Sequence, residues 1–397
     1  MTPPRKDKTK NESEKKARTR KKQDDNLQST AKEEKGIRLL PILLWSCALL
    51  AVGIIVPRVL SLFPEFTNFF YTEGMYPVIR LLVGYIPSCV RVCITEIFVC
   101  IIVVAFFVCI IVFVLKLINR SFRIKMLFSF LCVLLLLSSL LLNTFNITGG
   151  INYHTVPLAE KLQLNVKSRT PTQLYGLCVW LRGEANSLRK KVYTDADGIF
   201  GVDNKDLYLS LTAEAVQNTQ ELNPKGYTVP SAKQVYFSKV MTAMGIQGIN
   251  MPFFAESCVN SDQPCLLLFA SAAHENAHYL GIAREDEANF AAYLCCMNSD
   301  NPNIRYSGTV LALLYASSRL AQTDRGLYTE LLNGYSVALA ADIQNYNEYW
   351  DKNENVITKL SSAVNDAYLK YNGTNGEASY GEMVDLLLAH YEKTNKK

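Results

Sequence analysis

The sequence predicts a mainly α protein, in which three transmembrane helices precede a mostly helical extracytoplasmic domain with a small strand element. Three uncharged apolar stretches are long enough to cross a bilayer. After them, amphipathic helical stretches dominate and strand signals are few. These observations divide the 397 residues into a basic tail (1–38), a transmembrane region (39–146) and a C-terminal domain (147–397).

The three apolar stretches comprise residues 39–56, 97–115 and 126–145. About 20 apolar residues in a helix span the hydrocarbon core, so each stretch predicts a membrane helix. A cleavable signal peptide is the competing interpretation of the first stretch. The charged leader is too long for one, however, and no small-residue cleavage pattern follows it.

The charge distribution predicts the topology. Residues 1–38 hold 13 Lys and Arg against 7 Asp and Glu, whereas the other 359 residues hold 28 against 29. A disordered basic tail directly before a membrane span is typical of a topology signal, so we expect no nucleic-acid partner. The basic connection 116–125 is also expected in the cytoplasm, which places the N-terminus inside and the C-terminal domain outside a multi-pass cell-membrane protein.

The connection between the first two membrane stretches, residues 57–96, is rich in Phe and Tyr. Aromatic residues favour the membrane interface, so this segment is expected to contact membrane lipid. It either lies beneath the C-terminal domain and keeps that domain near the lipid, or serves as a simple amphipathic connector.

The segment His274-Glu275-Asn276-Ala277-His278 carries two of the four histidines of the chain. Residues four apart lie on the same face of a helix, so both imidazoles can reach one Zn²⁺ ion. Glu275 lies about 100° around the helix, beside the open position of the metal. A metal lowers the pKa of a bound water from ~16 to roughly 7, and Glu275 is expected to take the proton of this water as general base. The apolar run before His274 predicts a buried helix, and Gly281 can end it. The alternative is an ordinary buried helix that happens to carry two histidines.

The third metal ligand is expected to be an acid. A third histidine six residues after His278 is excluded, because that position is Arg284. Glu287 lies on the apolar face of the next helical segment, where an unpaired carboxylate is costly, and we therefore predict Glu287 as the ligand. Glu285 and Asp286 are expected in a solvated first turn that complements the helix dipole.

This pattern resembles the gluzincins, the zinc peptidase clan with HExxH and a glutamate on a following helix, of which thermolysin is a member. More specifically, the chain is similar to an uncharacterised bacterial family of membrane-anchored zinc metallopeptidases. The segments that carry this resemblance are 245–253, 274–294, 305–308, 367–370 and 379–381. The resemblance implies a zincin-like fold, a zinc-dependent catalytic centre and a peptide or protein substrate.

One departure from the family pattern concerns the residue that orients the first histidine. Thermolysin-like members carry an aspartate four residues after the third ligand, and counting from Glu287 this position is Ala291. Either Asn289 or Asp286 substitutes for it, or a backbone carbonyl orients His274.

Two further elements are assigned to catalysis. Residues 246–253 are expected to be extended, since glycines and Pro252 disfavour a helix, and such a strand could align a substrate backbone. The resemblance makes Tyr306 the candidate oxyanion donor, with Arg305 as its rival, while a core role for Tyr306 is the alternative.

The eleven cysteines include a pair with a short spacing. Cys258 and Cys265 flank a polar turn and could form a disulfide outside the cytosol. Cys295 and Cys296 are expected to be buried filler, because two histidines and a glutamate already complete a zinc site.

Together these features predict a membrane-anchored zinc peptidase. The alternative is a catalytically silent envelope protein that uses the zinc site for structure or partner binding. An intact Glu275 disfavours it, since a structural site needs no general base. The sequence does not determine the substrate or the oligomeric state.

Overall fold

The computed structural model describes residues 39–119, 124–375 and 382–395. The basic tail 1–38 and the segment 379–381 lie outside the described residues. The described chain is mostly helical with one small sheet, which confirms the predicted fold class.

Three helices have the length and composition to cross a membrane: α1 (Leu39–Leu60), α4 (Ile94–Ile118) and α5 (Ile124–Thr148). Most of their apolar side chains are exposed, as expected of surfaces that face lipid rather than water. The three predicted membrane helices are therefore confirmed, each a few residues longer than its uncharged stretch.

The chain forms two compact units. Of the described residues, the first contains 39–51 together with 124–140, and the second contains 52–119 together with 141–375 and 382–395. The second unit thus combines α4, the last turns of α5 and the connection 61–93 with the C-terminal domain, across the boundary predicted at residue 147.

The connection between α1 and α4 is itself helical. It comprises α2 (Pro64–Thr67), a π-helix (Asn68–Met75) and α3 (Tyr76–Cys89). Arg80 of α3 is 2% exposed, and its guanidinium lies against the rings of Tyr76, Tyr227 and Tyr279. Arg80 Nη1 donates to the carbonyl of Tyr279 over 2.9 Å, so this connection contacts the domain rather than running free.

The domain helices are arranged around one buried helix. After a 3₁₀ turn at Gly150–His154, they are α6 (Leu158–Lys161), α7 (Pro171–Arg189), α8 (Lys205–Asn218), α9 (Ser238–Ala243), α10 (Cys265–Tyr279), α11 (Glu285–Met297), α12 (Pro302–Thr323), α13 (Arg325–Asn333), α14 (Val337–Asn353), α15 (Val356–Tyr371) and α16 (Met383–Asn395). Helix α10 is buried over nearly its whole length and packs against α8, α11, α12 and the sheet. An alanine-rich sequence permits this because small side chains let neighbouring helices approach closely.

The sheet has three short strands in the order β1 (Lys233–Gln234), β3 (Glu256–Val259), β2 (Gly248–Met251). Strand β1 is parallel and β2 antiparallel to β3. The extended segment predicted at 246–253 is therefore present as β2. Its outer edge pairs with no other strand in the described part of the chain.

A buried ion pair joins α7 to α14. Arg189 Nη2 donates to Asp342 Oδ1 over 3.1 Å, and Asp342 also accepts from the Phe200 amide and the Tyr306 hydroxyl. Asp342 is 1% exposed, so its charge depends on these partners rather than on water.

We expect Asp342→Ala to destabilise the domain by about 3–5 kcal/mol, because it leaves Arg189 buried without its counter-charge. Asp351→Ala is the matched control, since Asp351 is exposed on the same helix and should change the free energy of unfolding by no more than ~0.5 kcal/mol. Denaturant unfolding of both variants measures the difference. Equal stability of the two would contradict the assigned role of the ion pair.

Candidate functional site

The two histidines of α10 are held in fixed orientations by their Nδ1 atoms. His274 Nδ1 lies 2.9 Å from Asn289 Oδ1, and His278 Nδ1 lies 2.8 Å from the carbonyl oxygen of Ile282. Both partners are acceptors, which places the proton of a neutral imidazole on Nδ1 and leaves each Nε2 as a lone-pair donor. The rings are 4.6 Å apart, centroid to centroid.

The end of α10 explains the partner of His278. Gly281 has a φ of +96°, and its amide donates to the carbonyl of His278 while the Ile282 amide donates to that of Ala277. This is a Schellman motif, which favours glycine in the left-handed position. The motif folds the Ile282 carbonyl back beneath the imidazole, and it confirms that Gly281 ends the helix.

Glu285, the first residue of α11, supplies a carboxylate to the two histidines. Its Oε2 lies 3.2 Å from His274 Nε2 and its Oε1 lies 3.6 Å from His278 Nε2. One ligand atom from each of the three residues falls within 4.8 Å of the others. Two imidazole nitrogens and a carboxylate oxygen form the donor set of a catalytic zinc site, so these residues fit the ion.

The structure does not bring Glu287, the predicted third ligand, to the two histidines. Residues two apart on a helix point about 200° apart, so Glu287 faces away from the histidines. Its Oε1 accepts from the Leu158 amide over 2.7 Å and from Arg284 Nη1 over 3.0 Å. Glu287 is buried, as predicted, but the partner that compensates its charge is an arginine.

A four-residue spacing within α11 indicates Glu285, rather than Glu287, as the acid that faces the histidines. Asn289 lies four residues after Glu285, which is the position of the orienting aspartate in the thermolysin-like pattern. Asn289 is therefore the residue that orients His274, one of the three alternatives considered. Counting from Glu285 rather than Glu287 would have identified both residues together.

Glu275 is buried directly beside this cluster and beneath strand β2. A Cβ atom at Gly248 would lie 2.5 Å from Glu275 Oε1, so only glycine lets the strand pass this close. Burial raises the pKa of Glu275 to about 8, although the nearby charge of His274 opposes the shift. Hydrogen bonds from Asn250 and Ser257 to the Glu275 carbonyl hold the backbone in place.

The pKa values of the two histidines shift in opposite directions, although both rings face Glu285. Burial lowers the pKa of His274, but the hydrogen bond and charge of Glu285, together with the charge of Glu275, outweigh it and raise the pKa to about 9. Burial lowers the pKa of His278, and the charge of His274 adds to this.

A cleft of about 990 Å³ opens over the cluster. His274, Glu275, His278 and Glu285 line it, together with β2, Tyr153, Tyr315, Tyr346 and Tyr368. The remaining lining includes Phe145 and Gly149 at the end of α5.

Tyr306 does not lie in this cleft. Its side chain is fully buried, and its hydroxyl donates to Asp342 Oδ2 over 2.6 Å. Tyr306 is therefore not placed where the predicted oxyanion donor would be, and its burial matches the alternative of a core role. Arg305 does not line the cleft either. Two tyrosines that do line it, Tyr315 and Tyr368, have pKa values of about 12, raised by burial and by the charge of Glu285.

The remaining histidines and cysteines lie outside the cluster. His154 is not among its ligands, and the ring of His390 packs against Phe290. Cys295 and Cys296 are fully buried, as expected of filler. Cys258 is not paired with Cys265, because its Sγ lies 2.8 Å from Sγ of Cys93.

Comparison with known proteins gives a family without an assigned activity. No curated protein and no solved structure matches the chain. A family model described as "Protein of unknown function (DUF3810)" matches residues 71–388, which include α3, α4, the sheet and the whole cluster. The chain therefore belongs to the DUF3810 family.

Proposed function

We propose that this protein is a membrane-anchored, zinc-dependent peptidase that hydrolyses peptide bonds at the outer face of the membrane. The observation that carries the proposal is the convergence of His274 Nε2, His278 Nε2 and the Glu285 carboxylate, with the buried Glu275 beside them. A structural zinc site has four protein ligands and no general base, whereas this cluster has three ligands and an acid that is not one of them.

His274, His278 and Glu285 would hold Zn²⁺. When bound, the ion supplies Lewis acidity that polarises a carbonyl and lowers the pKa of a water molecule. Glu275 then accepts the proton of the attacking water and delivers it to the leaving amine nitrogen.

Strand β2 is suited to bind the substrate backbone. It lines the cleft and passes close to Glu275, so a substrate strand hydrogen-bonded to its unpaired edge would lie near the reacting group. Tyr315 and Tyr368, whose pKa values respond to Glu285, are candidates to donate a hydrogen bond to the oxyanion in place of Tyr306.

Contacts near one end of β2 indicate a substrate close to the lipid surface. Phe254 packs edge-on against Phe98 of α4, with ring centroids 5.2 Å apart. A Cβ at Gly149, just after α5, would lie 3.0 Å from Pro252. Both contacts involve the ends of membrane-spanning helices, so a polypeptide bound along β2 would run toward the membrane surface. Membrane-tethered or lipid-associated polypeptides are therefore the substrates that we expect.

The charge pattern supports an outward-facing site. In the sequence the basic tail precedes α1 and the basic connection 116–125 joins α4 to α5, whereas the connection 61–93 follows α1 and precedes α4. Under the positive-inside rule the basic segments are cytoplasmic, which places the cleft outside.

The choice of Glu285 over Glu287 can be tested by metal content. Glu285→Gln should lower the zinc content of the purified full-length protein from about one ion per chain to a small fraction, because it removes a charged oxygen ligand. The matched variant Glu287→Gln should retain zinc, since Glu287 faces Arg284. Mass-spectrometric metal analysis after dialysis against a weak chelator measures both. Zinc loss in Glu287→Gln alone would restore the original assignment.

The role of Glu275 separates an enzyme from a binding protein. Glu275→Gln should keep zinc but reduce hydrolysis about 10²- to 10⁴-fold, because general-base catalysis is lost while the ligands remain. Cleavage of a peptide library and of native membrane proteins by protein in liposomes measures the rate. A wild-type rate in the variant would contradict the mechanism, and the absence of any wild-type hydrolysis would favour the silent binding module.

The topology can be tested on intact cells. A protease added outside should digest the C-terminal domain and spare an epitope at the N-terminus, because the positive-inside rule places these ends on opposite sides. Lysed cells are the control, in which both ends should be digested. Protection of the C-terminal domain in intact cells would reverse the proposed orientation.

A further inference from the structure

A second cluster of side chains of the metal-binding type is separate from the histidine cluster and consists of Cys93, Glu256 and Cys258. Cys93, the residue before α4, and Cys258, in the central strand β3, are both buried, with Sγ atoms 2.8 Å apart. Non-bonded heavy atoms pack best at about 3.5 Å or more, and sulfur is a large atom. The Sγ–Sγ distance is therefore shorter than ordinary packing and lies between it and the ~2.05 Å of a disulfide.

The third member of the cluster, Glu256, already has its partners. Its carboxylate accepts from the Thr95 amide and hydroxyl, each over 2.7 Å, from the Ile94 amide over 3.1 Å and from Lys233 Nζ over 2.7 Å. These bonds consume the acceptor capacity of both oxygens and neutralise the charge. A metal ion here would also meet the ammonium of Lys233, so the cluster is poorly suited to a cation.

We propose that Cys93 and Cys258 form a disulfide that covalently joins the start of the second membrane helix to the central strand of the sheet. The pair lies on the side of the membrane that carries the cleft, and thiols outside the cytosol are oxidised. The inference uses the proposed orientation but not the proposed peptidase activity.

The oxidation balances with a protein disulfide as the oxidant. The thiolate of Cys93 attacks one sulfur of the donor disulfide, which releases one donor thiol and forms a mixed disulfide. The thiolate of Cys258 then attacks the Cys93 sulfur and releases the second donor thiol. Two S–H bonds are lost, one S–S bond forms, and the donor disulfide becomes a dithiol.

The link would fix the strand that lies next to the substrate-binding edge. Strand β3 pairs with β2 along its whole length, so a covalent bond at Cys258 limits the motion of β2 relative to α4. Together with the Arg80 contact to the end of α10, it would attach the sheet and the active-site helix separately to the membrane region.

Peptide mapping of the full-length protein tests the pairing. Cell membranes are quenched in acid, denatured, blocked with N-ethylmaleimide and digested without reductant. We expect a linked peptide containing Cys93 and Cys258, lighter than the two free peptides by two hydrogen atoms, which disappears on reduction. This measurement uses the wild-type protein and so does not depend on whether a variant folds.

Two variants sharpen the result. Cys265→Ser should keep the linked peptide, whereas Cys258→Ser should leave Cys93 open to N-ethylmaleimide. Wild-type protein in which both thiols are blocked without reduction would overturn the proposal, as would a peptide that links Cys258 to Cys265. A third outcome would also overturn the disulfide. If both thiols are free and the protein holds a second zinc ion that is lost in Cys93→Ser, the cluster is a metal site.

Discussion

The left-handed turn at Gly281 is the constraint on which the candidate site depends. It ends α10 directly after His278, returns the Ile282 carbonyl to the imidazole, and reverses the chain so that α11 begins with Glu285 opposite both histidines. A Cβ at this position would also lie 3.0 Å from the ring of Tyr76. One glycine therefore sets the helix end, the orientation of the His278 ring and the position of Glu285, and leaves room for the membrane-proximal connection.

The electrostatics of the cluster would suit a bound cation. Glu275 and Glu285 are close enough for each to influence the other, and both share a largely buried pocket with two imidazoles. Burying two carboxylates is costly unless a positive charge compensates them. A divalent ion held by three of the four side chains would do so, and would leave Glu275 free to exchange a proton. The same arrangement thus accounts for the fit to zinc and for a base that is not a ligand.

The membrane region contributes to the site instead of serving as a remote anchor. Arg80 holds the carbonyl end of α10, where the helix dipole favours a positive charge. Phe98 of α4 and Gly149 after α5 contact the segment that follows β2. Because the helix that carries the histidines and the edge strand both rest on membrane-linked elements, the cleft has a defined position near the lipid. Under the proposed function, this position would restrict which polypeptides could reach the cleft.

The sequence by itself determined the features that depend on local periodicity and composition. Apolar length identified the three membrane helices, the four-residue spacing placed both histidines on one face, and Gly281 marked the helix end. The tertiary structure decided which groups meet. Burial of Glu287 was read correctly from its helical face, yet burial alone does not identify the partner, which proved to be Arg284. In the same way Tyr306 met Asp342 and Cys258 met Cys93, because residues far apart in sequence are brought together only by packing.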